Sequence, residues 1–209
     1  MKKVIPILKV IVFLAILQLL RASITEFLFL FISKTSINIR IINSIIFIVY
    51  SIILFLMIKK EKINLDLKDK KKTYIFLFIA LFLFFILTIF ITKSNYKDVI
   101  FLISGAIIVP LFEELLFRTY LWEKLKKDYK DEFIVYVIIT ILFGLWHFGY
   151  IDTVKTMMPL NGKVFTMNIM YYKIITGLVF GVITGFCKYK TKNSYSSFLL
   201  HSFLNMLGK

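Results

Sequence analysis

The sequence predicts an all-α protein, a polytopic transmembrane helical bundle of about seven spans with its amino terminus in the cytoplasm. Its composition, the lengths of its apolar runs and the placement of its lysines support this prediction. The 209 residues are 59% hydrophobic, with a mean hydropathy of +0.84. These values lie well above those of soluble globular domains. We therefore expect a multi-pass protein of the cell membrane, in contact with membrane lipid.

The apolar runs set the predicted number of spans. Six runs come close to or exceed the length of about 20 residues that a helix needs to cross a bilayer. They are 4–32, 41–58, 74–92, 99–122, 133–151 and 164–187. A seventh run, 194–207, is shorter. The hydrophilic segment 59–72 predicts a division of the chain into amino-terminal membrane helices with a basic cytoplasmic loop, 1–73, and a carboxyl-terminal helical bundle, 74–209.

Lysines are concentrated in alternate connections between these runs. With the amino terminus inside, the basic segments 1–9, 59–72, 124–130 and 188–192 all fall on the cytoplasmic side. This asymmetry is the one that the positive-inside rule describes. The formal net charge of +15 would also suit a nucleic-acid-binding protein, but lysine-rich inner loops are expected in a membrane protein. We therefore predict no nucleic-acid partner.

Two local patterns concern the connections and the packing of the helices. Segment 152–163 contains the turn-forming residues proline, asparagine and glycine, which predict an outer loop. In the sixth run, Gly177, Gly181 and Gly185 recur every fourth residue and lie on one stripe of a helix. Such a stripe lets the backbone of a neighbouring helix approach closely.

Ionisable residues inside a membrane span need a partner or a function, because each costs at least about 2.5 to 3.5 kcal/mol to insert. Arg21 and Glu26 interrupt the first run, and the sequence assigns them no role. In the fourth run, Glu113, Glu114 and Arg118 occur within six residues. Residues four apart on a helix are neighbours, so Glu114 is predicted to pair with Arg118. Glu113 then needs another partner.

The two histidines of the chain are candidates for that partner. His147 and His201 both fall within apolar helical segments, and Asn205 follows His201 by one helical turn. Each residue alone would suit a structural hydrogen bond between helices. Together with Glu113 they come from three spans, and such a set could deprotonate a water molecule or bind a metal that does so. The coincidence of all of them favours a functional site.

Three short motifs carry a resemblance to a known family. EELLFR at 113–118, FGLWH at 143–147 and HSFLN at 201–205 resemble its EExxxR, FxxxH and HxxxN motifs, in the same order. This is the CPBP group of CAAX proteases and bacteriocin-processing enzymes, also called Abi or type II CAAX prenyl endopeptidase-like proteins. The resemblance covers roughly 99–207.

The resemblance implies an intramembrane endopeptidase that acts on a peptide or protein substrate. In such an enzyme, Glu113 would activate water, and Glu114 and Arg118 would support the site. The residues that would hold the water, a metal or the oxyanion are His147, His201 and Asn205.

The residues leave the need for a metal open. A divalent cation such as zinc binds two imidazoles and a carboxylate well, which makes Glu113, His147 and His201 a possible metal set. Asparagine is a poor zinc ligand, and metal-free activation of water by a glutamate is equally consistent with the pattern.

Two other functions also fit the intramembrane polar residues. A non-catalytic binding or bacteriocin-immunity protein of the same fold could use the polar cavity to hold a peptide. A proton-coupled transporter could use the carboxylates and imidazoles as a proton relay.

Overall fold

The described part of the chain is entirely helical apart from short connections. A computed structural model describes residues 4–65 and 71–208, and these form seven helices, which confirms the all-α prediction. The helices are α1 Val4–Leu28, α2 Ser36–Lys60, α3 Lys71–Ile91, α4 Tyr96–Asp128, α5 Glu132–Leu160, α6 Met167–Thr191 and α7 Ser194–Leu207. Part of the predicted cytoplasmic loop, 66–70, lies outside the described residues.

Six of these helices, α1 to α6, are long and apolar enough to cross a membrane. Helix α7 has 14 residues. At about 1.5 Å per residue it is shorter than the roughly 30 Å hydrocarbon core of a bilayer. The structure therefore supports a multi-pass membrane protein with six candidate spans and one short helix. The cytoplasmic location of the amino terminus stays a prediction from the lysine distribution.

The prediction of an outer loop at 152–163 was wrong for most of that segment. A single 3-10 turn, His147–Tyr150, is followed directly by the helical stretch Ile151–Leu160. The chain turns only at Asn161 and at Gly162, which has a φ of +68°. The turn-forming residues therefore mark only the end of the segment, because tertiary contacts hold its beginning against the bundle.

Helix α4 changes its winding on both sides of the candidate glutamates. Its segments Ser104–Ile108 and Glu114–Leu121 are π-helical, and Pro110 follows the first of them. Proline has no backbone N–H, and its ring crowds the carbonyl four residues earlier. A wider preceding turn relieves that crowding. π-Helical turns within α-helices occur frequently at functional sites.

The glycine stripe of α6 lies against α5, as predicted. A Cβ atom at Gly177 would stand 2.5 Å from His147 Nδ1, a distance that real Cβ atoms do not adopt. The absence of a side chain at Gly177 therefore allows His147 to lie directly on the α6 backbone.

Arg21 of α1 is fully buried and connects three parts of the bundle. All five of its N–H groups donate hydrogen bonds to acceptors 2.5 to 3.0 Å away. The acceptors are Gln18 Oε1, Asn43 Oδ1, Thr153 Oγ1, the Gly149 carbonyl and Asp152 Oδ1. Glu26, by contrast, forms an exposed ion pair with Lys34. Arg21 thus anchors α1 to α2 and α5.

Replacement of Arg21 by alanine is expected to destabilise the fold by about 3 to 5 kcal/mol, because it breaks the ion pair with Asp152 and leaves the other acceptors of the network without their donor. Thermal unfolding of the purified protein in detergent measures the effect. Lys34→Ala is the matched control, because it removes an exposed cation that contributes at most about 1 kcal/mol. Equal unfolding temperatures for the two variants would contradict the anchoring role of Arg21.

Candidate active site

Glu113 lies in the interior of the bundle, with 2% of its surface exposed. Its Oε1 atom accepts hydrogen bonds from Trp146 Nε1 at 3.2 Å and from the Tyr150 hydroxyl at 3.0 Å. Its Oε2 atom lies 3.8 Å from His201 Nε2. The two donors therefore fix one carboxylate oxygen, and the other oxygen faces an imidazole.

Glu114 forms the predicted pair with Arg118 and also binds a histidine. The distance from Arg118 Nε to Glu114 Oε2 is 3.5 Å, and His201 Nδ1 lies 2.8 Å from Glu114 Oε1. Arg118 is fully buried, and it donates to Thr184 Oγ1 at 2.6 Å and stacks on the Phe143 ring. The sequence associated the histidines with Glu113, but His201 makes its shorter contact with Glu114.

The contacts of His201 define which ring nitrogen carries a proton. A carboxylate only accepts hydrogen bonds, so Nδ1 donates to Glu114. In the neutral ring, Nε2 then presents a lone pair towards Glu113. The gap of 3.8 Å between Nε2 and Glu113 Oε2 is too long for a direct hydrogen bond. It is suited to a water molecule that bridges both atoms.

His147 occupies the wall of the same region. Its Nδ1 atom lies 2.8 Å from the Phe143 carbonyl, which also only accepts, so Nδ1 carries a proton. The Phe143 ring contacts both imidazole rings, with centroid distances of 5.0 Å to His147 and 5.9 Å to His201. Both histidines therefore have Nδ1 occupied by a protein acceptor, which leaves Nε2 for other chemistry.

Asn205 fastens α7 to the first π-helical segment of α4. Its Nδ2 atom donates to the Gly105 carbonyl at 2.7 Å. The carboxamide therefore has one defined structural contact beside the site.

A cavity of about 500 Å³ connects the predicted residues. Four of them line it, namely Glu113, His147, His201 and Asn205. Glu114 and Arg118 are not among its lining residues. They reach the site through the hydrogen bond from His201. The structure thus brings the six predicted residues together, with four of them on the cavity wall and the other two behind His201.

Sequence reasoning missed Trp146 and Tyr150, the two donors to Glu113. Both belong to the segment that contains His147, and they stand four residues apart. A buried indole N–H or phenol O–H needs an acceptor. That requirement, applied to Trp146 and Tyr150, could have pointed to a nearby acceptor such as a carboxylate.

The possible metal set does not fit the donor arrangement. Within 4–65 and 71–208, no group of three His, Cys, Asp or Glu side chains is arranged to hold a metal ion. Glu113 Oε1 is directed at two hydrogen-bond donors, which leaves Oε2 as its free oxygen.

Comparisons with known proteins support the resemblance of the motifs. No curated protein sequence and no solved structure matches the chain significantly. Residues 95–207, more than half of the chain, match the profile of the family described as type II CAAX prenyl endopeptidase Rce1-like. The matched segment contains all three motifs. The chain therefore belongs to the Rce1-like type II CAAX prenyl endopeptidase (CPBP) family.

Proposed function

We propose that the protein is an intramembrane endopeptidase in which Glu113 deprotonates the water that attacks a peptide bond. The observation that carries this proposal is the 3.8 Å gap between Glu113 Oε2 and His201 Nε2, which faces a cavity of about 500 Å³. Family membership supports the same reaction class.

The reaction needs one base and one oriented water. Trp146 and Tyr150 donate to Glu113 Oε1, so the proton of the water goes to Oε2. The resulting hydroxide bonds to the carbonyl carbon of the peptide. The C–N bond then breaks as Glu113 returns the proton to the leaving amine. The products are a carboxylic acid, whose proton passes to the released amine, and that amine, and the glutamate is restored.

The remaining site residues have different roles in this proposal. His201 Nε2 orients the water, and Glu114 acts as a positioning residue because it holds the opposite ring nitrogen. Arg118 balances the charge of Glu114. His147 and Asn205, on the cavity wall, contact the peptide next to the bond that is cleaved.

We propose a prenylated carboxyl-terminal peptide as the substrate class to test first. The family is named for CAAX prenyl endopeptidases, and a lipid-modified peptide would reach this protein within the membrane. The six candidate spans support cleavage in or next to the cell membrane.

Glu113→Gln is expected to lower the rate of cleavage by about 10²- to 10⁴-fold, because an amide cannot accept the proton of the water. The amide oxygen can still accept from Trp146 and Tyr150, so folding should be retained. Mass spectrometry of peptides released from membranes that carry either protein measures the effect.

The matched control for this experiment is Glu123→Gln. Glu123 lies on the same helix, and its carboxylate interacts with Lys126 and Lys188 outside the cavity. Release of the same peptides by Glu113→Gln and by the wild type would exclude Glu113 as the base. The non-catalytic binding function would then be favoured.

Glu114→Gln is expected to lower both activity and stability. The change leaves the buried guanidinium of Arg118 unpaired, at a cost of about 3 to 5 kcal/mol. The double variant Glu114→Gln/Arg118→Met should recover much of the unfolding temperature but not the activity, because His201 Nδ1 still lacks the Glu114 carboxylate. Recovery of full activity in the double variant would show that Glu114 serves stability alone.

Activity is expected to persist in the presence of 1,10-phenanthroline, because the donors around Glu113 are not arranged as a set of three metal ligands. Cleavage by purified protein in lipid vesicles is measured before and after chelation and dialysis. Loss of cleavage that zinc alone restores would show that a metal is required.

A further inference from the structure

Two cations line the cavity with no carboxylate of the described residues within salt-bridge distance. They are Arg40 on α2 and Lys173 on α6. The guanidinium of Arg40 lies 4.8 Å from the Phe101 ring centroid, and its buried Nε atom has no hydrogen-bond acceptor. The ammonium of Lys173 lies 5.2 Å from the Tyr150 ring centroid. Both positive charges are therefore available to an anion inside the cavity.

The distribution of charge along the cavity is uneven. Glu113 is the one carboxylate among its lining residues in the described chain. Lys173 is close enough to both Glu113 and Arg40 to interact with them electrostatically. Glu113 can offset one of these two positive charges, and the other remains costly in a low-dielectric region unless a further anion neutralises it. The pair therefore forms a preorganised site for a negative group.

The backbones of Arg40 and Lys173 lie at a different level of the bundle from residues that pack beside the candidate catalytic groups. On α2, Phe47 follows Arg40 by seven residues. The Phe47 ring stacks on that of Phe112, the neighbour of Glu113, at a centroid distance of 4.8 Å. Phe180 follows Lys173 by seven residues on α6, and its ring lies 5.4 Å from that of His201. Seven residues of helix correspond to a rise of about 10 Å.

This depth matches a short length of extended peptide. An extended chain advances about 3.3 to 3.6 Å per residue, so at most about three residues would span from the level of Glu113 to the backbone level of the two cations. The negative group that every unmodified peptide carries at its end is the terminal carboxylate.

We propose that Arg40 and Lys173 bind the terminal carboxylate of the peptide substrate and so determine which bond reaches Glu113. This inference rests on the proposed peptidase function. Arg40 lies outside the segment that matches the family, 95–207, so this part of the subsite comes from the amino-terminal helices.

The test compares two forms of one probe, a fluorescein-labelled farnesylated Cys-Val-Ile-Ala peptide with either a free carboxylate or a carboxyl-terminal amide. The wild type in nanodiscs of zwitterionic lipid should cleave the free acid at least tenfold more efficiently. In Arg40→Gln/Lys173→Gln this ratio should fall towards one, through a higher KM for the acid with little change in kcat. Lys34→Gln, an exposed change at the same end of the bundle, should keep the ratio of the wild type.

A measurement of peptide binding distinguishes a failure of this inference from a failure of the proposed function. Fluorescence anisotropy with the Glu113→Gln protein should show tighter binding of the acid than of the amide, even if no peptide is ever cleaved. Equal binding or equal cleavage of both forms by proteins that retain the cations would overturn the carboxylate subsite. Loss of the preference for the acid only in nanodiscs of anionic phosphatidylglycerol would assign the cations to a lipid headgroup and would also overturn it.

Discussion

A charge inside a membrane bundle must be neutralised by another group, and this constraint organises the centre of the protein. Arg118, Glu114, His201 and Glu113 form a continuous chain of polar contacts across α4 and α7. Loss of any partner would leave a buried group uncompensated. The relative position of the two helices is thereby restricted to arrangements in which both carboxylates reach opposite nitrogens of one imidazole ring.

A second buried network supports the first. Arg21 binds the Gly149 carbonyl and Asp152, and Gln18 binds the Trp146 carbonyl. The same short stretch of α5 supplies the two donors to Glu113 on its other side. Helix α1 lies outside the segment that matches the family, yet it orients the turn that holds the candidate base. The amino-terminal helices therefore contribute to the geometry of the site as well as to the membrane anchor.

The cavity combines these networks with an exposed surface for a ligand. Its inner end presents Glu113 and the free nitrogen of His201, while the backbones of Arg40 and Lys173 lie about 10 Å away along the helices. In the proposed reaction, this arrangement of charges makes a peptide bind in one orientation. Its terminal carboxylate contacts the two cations, and the bond to be cleaved lies at Glu113. The base would then meet a defined bond rather than any exposed peptide group.

The sequence by itself determined the features that depend on local spacing. The lengths of the apolar runs predicted the long helices, the four-residue interval predicted the Glu114 pair with Arg118, and three motifs predicted the family. Only the tertiary structure decided that Trp146 and Tyr150 hold Glu113, that His201 also binds Glu114, and that 152–160 is helical. The physical reason is that these contacts join residues far apart in sequence, such as the 87 positions between Glu114 and His201, so helix packing sets their distances and directions.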